Sequence, residues 1–471
     1  MAIFTDSKKP PALMPHTLRI VACIALIVKL LFSMGCRPDE FSTNPNLLLH
    51  FSADTVAFDT VFSNVTTATH TLKVYNHSSS HLRIAHISLA GGATSPYDVN
   101  LDGISGHQFA DIALRAHDSL FVFVRITPPP LAQDTPLCLA DSLLFITNGN
   151  HQRVQLQAWG QDVVQHRNPY FASDTTLRAN RPHLIYGTMT VAEGATLRIE
   201  AGAKLHFHPK ASLDIRGSLI AEGTEQKPIM LEGDRIEPYY RDKAGQWNGL
   251  RLAASCQVCN LQWVHIRNCI TAIQANGLAD TMRLNHCKIT SCSHIGLTAL
   301  GINIVANNCL FANAANSCVD LHGGAHRFTH CTVANYWGGF TFRNGAALQM
   351  SSPDTLPPIA VVFENSIVYG SASNEMNIWP TESNYTFNHC VLRIDTDTTD
   401  IRLRNSIFSN PKFKNPAQLN FMLESTSPAI DRADINISTL FPIDLNGKNR
   451  LDDGSPDMGA FEYTADDENA E

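Results

Sequence analysis

Three stretches of the chain, LNHCKIT at 284–290, ANNCLFA at 306–312 and FTHCTVA at 328–334, each set a cysteine directly after a histidine or an asparagine. Thiolate and imidazole are side chains that hold zinc, and a thiol beside an imidazole also makes a cysteine nucleophile. The pattern recurs at Cys287, Cys309, Cys331, Ser366, Cys390 and Ser406, at spacings of 22, 22, 35, 24 and 16 residues. The residue before alternates as His286, Asn308, His330, Asn365, His389 and Asn405. Serine takes the cysteine's place at Ser366 and Ser406. That exchange suits a small packed side chain better than a thiolate.

Spacing decides against a shared site. If each copy is one coil of a stack, neighbouring strands lie about 4.8 Å apart and alternate histidines on the order of 10 Å apart. Two nitrogens on one zinc must each lie about 2.0–2.1 Å from it. Disulfides need Cβ atoms about 3.8 Å apart with a fixed torsion, which in-register stacking does not supply. Most of Cys269, Cys287, Cys292, Cys309, Cys318, Cys331 and Cys390 are therefore expected to be buried free thiols, with no metal site and no cofactor. SCQVC at 255–259 holds the single Cys-x-x-Cys. It packs if extended and could close a local disulfide if it turns.

The elements that hold these positions are short strands. In each copy the residue two after the key position is apolar (Ile289, Phe311, Val333, Val368, Leu392, Phe408), as is the residue three before (Leu284, Ala306, Phe328, Phe363, Phe387, Leu403). These side chains are expected to point inward with the key residue, while the His/Asn position marks a turn where stacked amides form a ladder. LQWVHI at 261–266 reads as an earlier copy, and the spacing of 35 contains the insertion MSSPDTLPPIA. Upstream, LIYGTMTVAEGATLRIEAGAKLHFHPKASLDIRGSLIAEG alternates very short strands with glycine turns. With GQWNGLRL at 245–252, this resembles the right-handed parallel β-helices of the pectin-lyase-like superfamily. The resemblance implies a β-helix over 184–425.

Residues 47–165 read as an antiparallel sandwich of alternating strands such as TLKVYN, where Leu72 and Val74 face one way and Lys73 and Tyr75 the other. FSNVTTATHTLKVYNHSSSHLRIAHISLAGG resembles the immunoglobulin-like N-terminal domain of Bacteroidetes surface lipoproteins. The fold class is thus all-β: an immunoglobulin-like sandwich followed by a right-handed parallel β-helix. Lys8, Lys9 and Arg19 precede the apolar run IVACIALIVKLLFSMG, as in a targeting segment over 1–35. The run ends at FSMGCRPDE, which resembles a bacterial lipoprotein signal; this implies lipid attachment at Cys36, a linker over 36–46 and anchoring in the cell outer membrane, periplasmic or surface-exposed. A plain secretory signal with an incidental cysteine is the alternative. Net charge is −8 with no extended basic run, so nucleic acid is not an expected partner.

Enzymatic sites are hard to find. A glycoside hydrolase needs two carboxylates about 5–10 Å apart, and across 255–345 the acids are essentially Asp280 and Asp320. Arg267, Lys288, Arg283, Arg327 and Arg343 could line a lyase groove or a solvated face. Trp337 and Phe340, beside Gly338 and Gly339, could stack on sugars or belong to the core. The ending, SPAIDRAD, DLNGKNR and DDGSPDMGAFEY, resembles the choice-of-anchor Q pattern of bacterial surface β-helix proteins and implies that 426–463 caps the open end of the rod, ahead of an acidic tail over 464–471. Asp444, Asn446, Asp452, Asp453 and Asp457 suit tight turns that bond their own backbone, with calcium as a rival. The functional expectation is adhesion or glycan binding, with polysaccharide lyase or glycoside hydrolase as the alternative.

Overall fold

The computed structural model describes residues 40–465 except 279, 340 and 396–397. Cys36, the targeting segment and Phe340 lie outside the described residues. Among these residues no helix is long and apolar enough to cross a membrane. The chain forms two compact units: one holds 66–127 and 139–158 with the residues up to Phe58, and the other holds Asp59–Val65, Pro128–Cys138 and everything from Trp159 onward.

The N-terminal region is a β-sandwich of two five-stranded sheets. Its alternation is the one the sequence carries: in His70–Tyr75, Leu72 and Val74 are buried while Lys73 is exposed. Leu82, Ile84, Ile87, Val122, Val124, Val154 and Leu156 complete the inner faces.

The second region is a parallel β-helix of three sheets, with 10, 9 and 10 strands. Each coil passes through the first, second and third sheet in turn. Stacking begins earlier than residue 184, because Val164–Arg167 pairs in parallel with His183–Tyr186. At the WNG corner, Gly249 has φ of 98°, and a Cβ there would collide with the carbonyl oxygen of Thr271 on the next coil. Beside it Trp247 is fully buried, stacked 4.0 Å from Phe207.

The repeated motif is the corner between the third and first sheets. Trp263, His286, Asn308, His330, Asn365, His389 and Asn405 all adopt left-handed backbone, with φ between 49° and 52°. Asn and His are enriched in that conformation, which explains why they alternate there. The following residue turns inward: Cys287, Cys309, Cys331, Ser366 and Cys390 are completely buried. They form a polar thread through the core, in which the Cys287 amide donates to the Cys309 sulfur at 3.4 Å and the Cys331 amide to Ser366 Oγ at 3.0 Å. Beside it run stacked rings, Phe328 on Phe363 at 4.5 Å and Phe363 on Phe387 at 5.0 Å. The sixth copy departs from this. The first sheet ends at Val391–Leu392, so Ser406 is only partly covered and Phe408 is 38% exposed.

The C-terminal segment does not lie across the end of the stack, as the resemblance implied; it runs along the flank. Asp434 and Gly459 bond Asn365, Ser438 bonds His330, Ile443 accepts from His286, and Arg450 donates to Asn308. The left-handed ladder is therefore a rail along which the tail is hydrogen-bonded. The cause lies in the first sheet, where Leu310–Ala314, Thr332–Asn335 and Ile367–Gly370 are buried on both faces. Outward Leu310, Ala312, Ala334, Ile367 and Val391 pack against Phe421 of the strand Asn420–Leu423 and against Leu445, Met458 and Phe461 of the tail. Runs of that kind mark a strand covered twice.

In the tail, Asp444 and Asp453 bond amides of their own turns as expected, whereas Asp452 accepts from the Asn449 side chain and Asp457 from more distant amides. Asp444 accepts from the amides of Asn446, Lys448 and Glu462 at 2.7–2.8 Å, and Asp457 from those of Asp431 and Tyr463. Fully buried Arg450 reaches Glu462 at 3.3 Å and Asn308 at 3.1 Å. Burial raises Glu462 to about 8 and Asp457 to about 6.

Candidate functional site

The cysteines of the β-helix offer no exposed thiol, whereas Cys138 outside it is exposed. Cys256, Cys259, Cys269, Cys287, Cys292, Cys309, Cys318, Cys331 and Cys390 are buried free thiols. Burial pushes the Cys256 thiol up to about 11 and the Cys390 thiol up to about 12. A thiol held protonated is a poor nucleophile.

The basic residues of a lyase groove are dispersed. Arg267 pairs with Glu232 and Arg327 with Glu364, on the first and third sheets respectively. Arg343 makes a forked pair with buried Glu375 at a corner. Arg283 is exposed on the third sheet, and Lys288 lies under the tail, 3.4 Å from Asn446. Asp280 accepts from the Thr281 amide in an exposed corner, while Asp320 sits on the second sheet beside His322.

Trp337, by contrast, belongs to a built groove at the corner between the first and second sheets. Three excursions meet there: residues 234–248, residues 336–347 and the hairpin Phe413–Leu423. Between them the short corners of intervening coils provide a floor of Ser291, Ser293 and Asn313, in a groove of about 570 Å³. Lys243 and Asp242 from the first excursion, Trp337 and Thr341 from the second and Leu419 from the hairpin line it. Much of the length added between Cys331 and Ser366 is this 336–347 excursion, and the remainder is the Ser/Pro insertion.

Each wall is pinned by buried polar groups. Gln246 and Asn268 donate to the carbonyls of Tyr240, Arg241 and Lys243 at 2.8–3.0 Å, fixing the first excursion. Arg343 donates to the carbonyls of Asn335 and Gly345, and Glu375 accepts from the amide of Ala347, fixing the second. Asn313 accepts from the Tyr336 amide and donates to the Pro416 carbonyl, joining floor, wall and hairpin. Trp337 directs its indole N–H to the Thr341 carbonyl at 2.8 Å, which leaves the ring partly exposed. Nearby Tyr239 is 66% exposed, with the Lys243 ammonium 4.9 Å from its ring. An aromatic wall above hydroxyl and amide groups suits sugar rings, which present apolar faces and polar edges. Asp242 is the one carboxylate among the described residues lining the groove.

The sequence matches no protein-family model and no curated protein. Some solved structures align with about a quarter of the chain. The ASH/PapD-like domain of human CEP192 is 14% identical over 27% of this chain and 94% of its own, with a TM-score of 0.18. A protein of unknown function from Porphyromonas gingivalis W83 is 10% identical, covering 26% of this chain and 50% of its own, with a TM-score of 0.19. A family 123 glycoside hydrolase from Clostridium perfringens is 9% identical, covering 28% of this chain and 31% of its own, with a TM-score of 0.20. At these values no activity transfers to this chain.

Proposed function

We propose that the protein is a lipid-anchored cell-envelope module that binds glycans, held at the outer membrane through Cys36 and engaging its ligand in the Trp337 groove. The observation that carries this reading is the pinned groove itself, with one aromatic wall and a floor of Ser291, Ser293 and Asn313. The membrane part rests on the FSMGC signal. It is tested by whether Cys36→Ser abolishes incorporation of a clickable palmitate.

Glycan binding is tested on an array, followed by titration of the best binder against the wild type and Trp337→Ala. Stacking on an aromatic ring is worth about 0.5–1.5 kcal/mol, so the variant should lose roughly two- to tenfold in affinity. An unchanged affinity would remove the groove as the site. Unsaturated or shortened products appearing during the titration would instead favour the lyase or hydrolase reading.

A further inference from the structure

The outer face of the second sheet carries a constellation that no part of the glycan-binding reading uses. Asp320 and His322 project outward from Val319–His322, and Ser351 projects from the next strand directly beside His322. The Ser351 hydroxyl lies 2.6 Å from His322 Nδ1, and His322 Nε2 lies 3.1 Å from an Asp320 oxygen. With the proton on Nε2, directed to Asp320, Nδ1 accepts from the serine hydroxyl. Hydroxyl, imidazole and carboxylate are thus joined in the order a nucleophilic serine needs.

Two further features fit a substrate. Trp379, in register with Ser351 on the following strand, is 64% exposed, and Leu300, in register with His322 on the preceding strand, is 37% exposed. Asn377, two residues before Trp379, faces outward on the same sheet beside Gln349. The face therefore offers an aromatic ring for a pyranose and an apolar side chain for a small acyl group, with the Asn377 amide a further polar group on the same face. Being open rather than enclosed, it suits an extended polymer with substituents that stand out from the chain.

We infer that Ser351, His322 and Asp320 form a serine esterase site that removes O-acyl groups from glycans. Ser351 Oγ bonds to the ester carbonyl carbon as its proton passes to His322 Nδ1. The tetrahedral adduct collapses by breaking the bond to the sugar oxygen, which takes the proton from His322. Water, deprotonated by His322, then attacks the acyl-serine, releasing the carboxylic acid and restoring the Ser351 hydroxyl. Asp320 is a positioning residue that holds the imidazole through Nε2, and its hydrogen bond raises the His322 pKa.

The test treats the purified full chain with a fluorophosphonate reporter, maps the labelled peptide, and follows p-nitrophenyl acetate hydrolysis. Ser351 should carry the label. Ser351→Ala and His322→Gln, with unchanged thermal melts, should each lose hydrolysis by about 100-fold or more. Asp320→Asn should keep measurable hydrolysis but move the acid limb of the pH–rate profile to lower pH, since a merely structural role would lower the rate without moving the limb. An unlabelled Ser351, or a folded Ser351→Ala variant hydrolysing at the wild-type rate, overturns the assignment. Trp337→Ala should leave labelling intact, so failure at either site is distinguishable from failure at the other.

Discussion

The outer faces of the first and second sheets lie on the same coils yet have opposite fates. Along the first sheet the outward positions Leu310, Ala312, Ala334, Ile367 and Val391 are apolar and covered by the C-terminal segment, and the one hydroxyl among them, Thr332, accepts from the Ala460 amide of the tail. Along the second, the outward row holds Thr298, Asp320, Gln349 and Asn377, with His322 and Ser351 beside it. A parallel coil fixes the inner face by packing and leaves each outer face to its own pattern. The apolar one becomes a docking surface and the polar one a place where chemistry can reach solvent.

The comparison can be broken most forcefully at Arg450. At a pH of about 9, where Glu462 is ionised, replacement of Arg450 by alanine leaves the Glu462 carboxylate and Asn308 buried without their cation and should cost about 3–5 kcal/mol in urea unfolding. The tail should then exchange deuterium at rates close to those of an unfolded segment. A smaller cost would show that apolar contacts alone hold the covered face.

A matched pair of substitutions sharpens the contrast between sheets. Ala334→Asp puts a charge under the tail and should destabilise by roughly 3 kcal/mol. Gln274→Asp, on the partly exposed outer face of the second sheet, should stay within about 0.5 kcal/mol. Equal effects would contradict the difference between the faces.

The smallest effect concerns pH. Glu462 has a raised folded value of about 8 against an ordinary 4.5. Its contribution is therefore full below the ordinary value and lost as pH rises through the folded one. Between pH of about 5 and 9 the wild type should lose at least ~1 kcal/mol relative to Glu462→Gln in paired unfolding curves. Parallel curves would mean that Arg450 keeps Glu462 ionised throughout.

Much of the stack was legible because its constraints are local. The spacing of 22, the inward positions beside each cysteine and the turn at His286 or Asn308 follow from strand alternation and from which residues accept left-handed backbone. The tail's carboxylate turns were legible for the same reason. Its place on the flank was not, although LFANA, TVAN and IVYG already lacked any charged residue to face solvent. The Trp337 groove needs three excursions far apart in sequence, so only one wall could be suspected. Ser351 meets His322 across 29 residues that include the irregular 336–347 corner. Register across such an insertion cannot be counted from spacing.

The central claim is that the repeated cysteine and histidine positions are architecture: a thread of buried thiols beside a rail of turns. It is tested most directly by alkylating the full chain without reductant, first folded and then in denaturant, and mapping the modified peptides from residue 40 onward. In the folded protein Cys138, which is exposed, should be modified while Cys287, Cys309, Cys331 and Cys390 are not, and all four should react once the chain unfolds. Rapid modification of any of these four in the folded state, or a pair that reacts only after reduction, would contradict it.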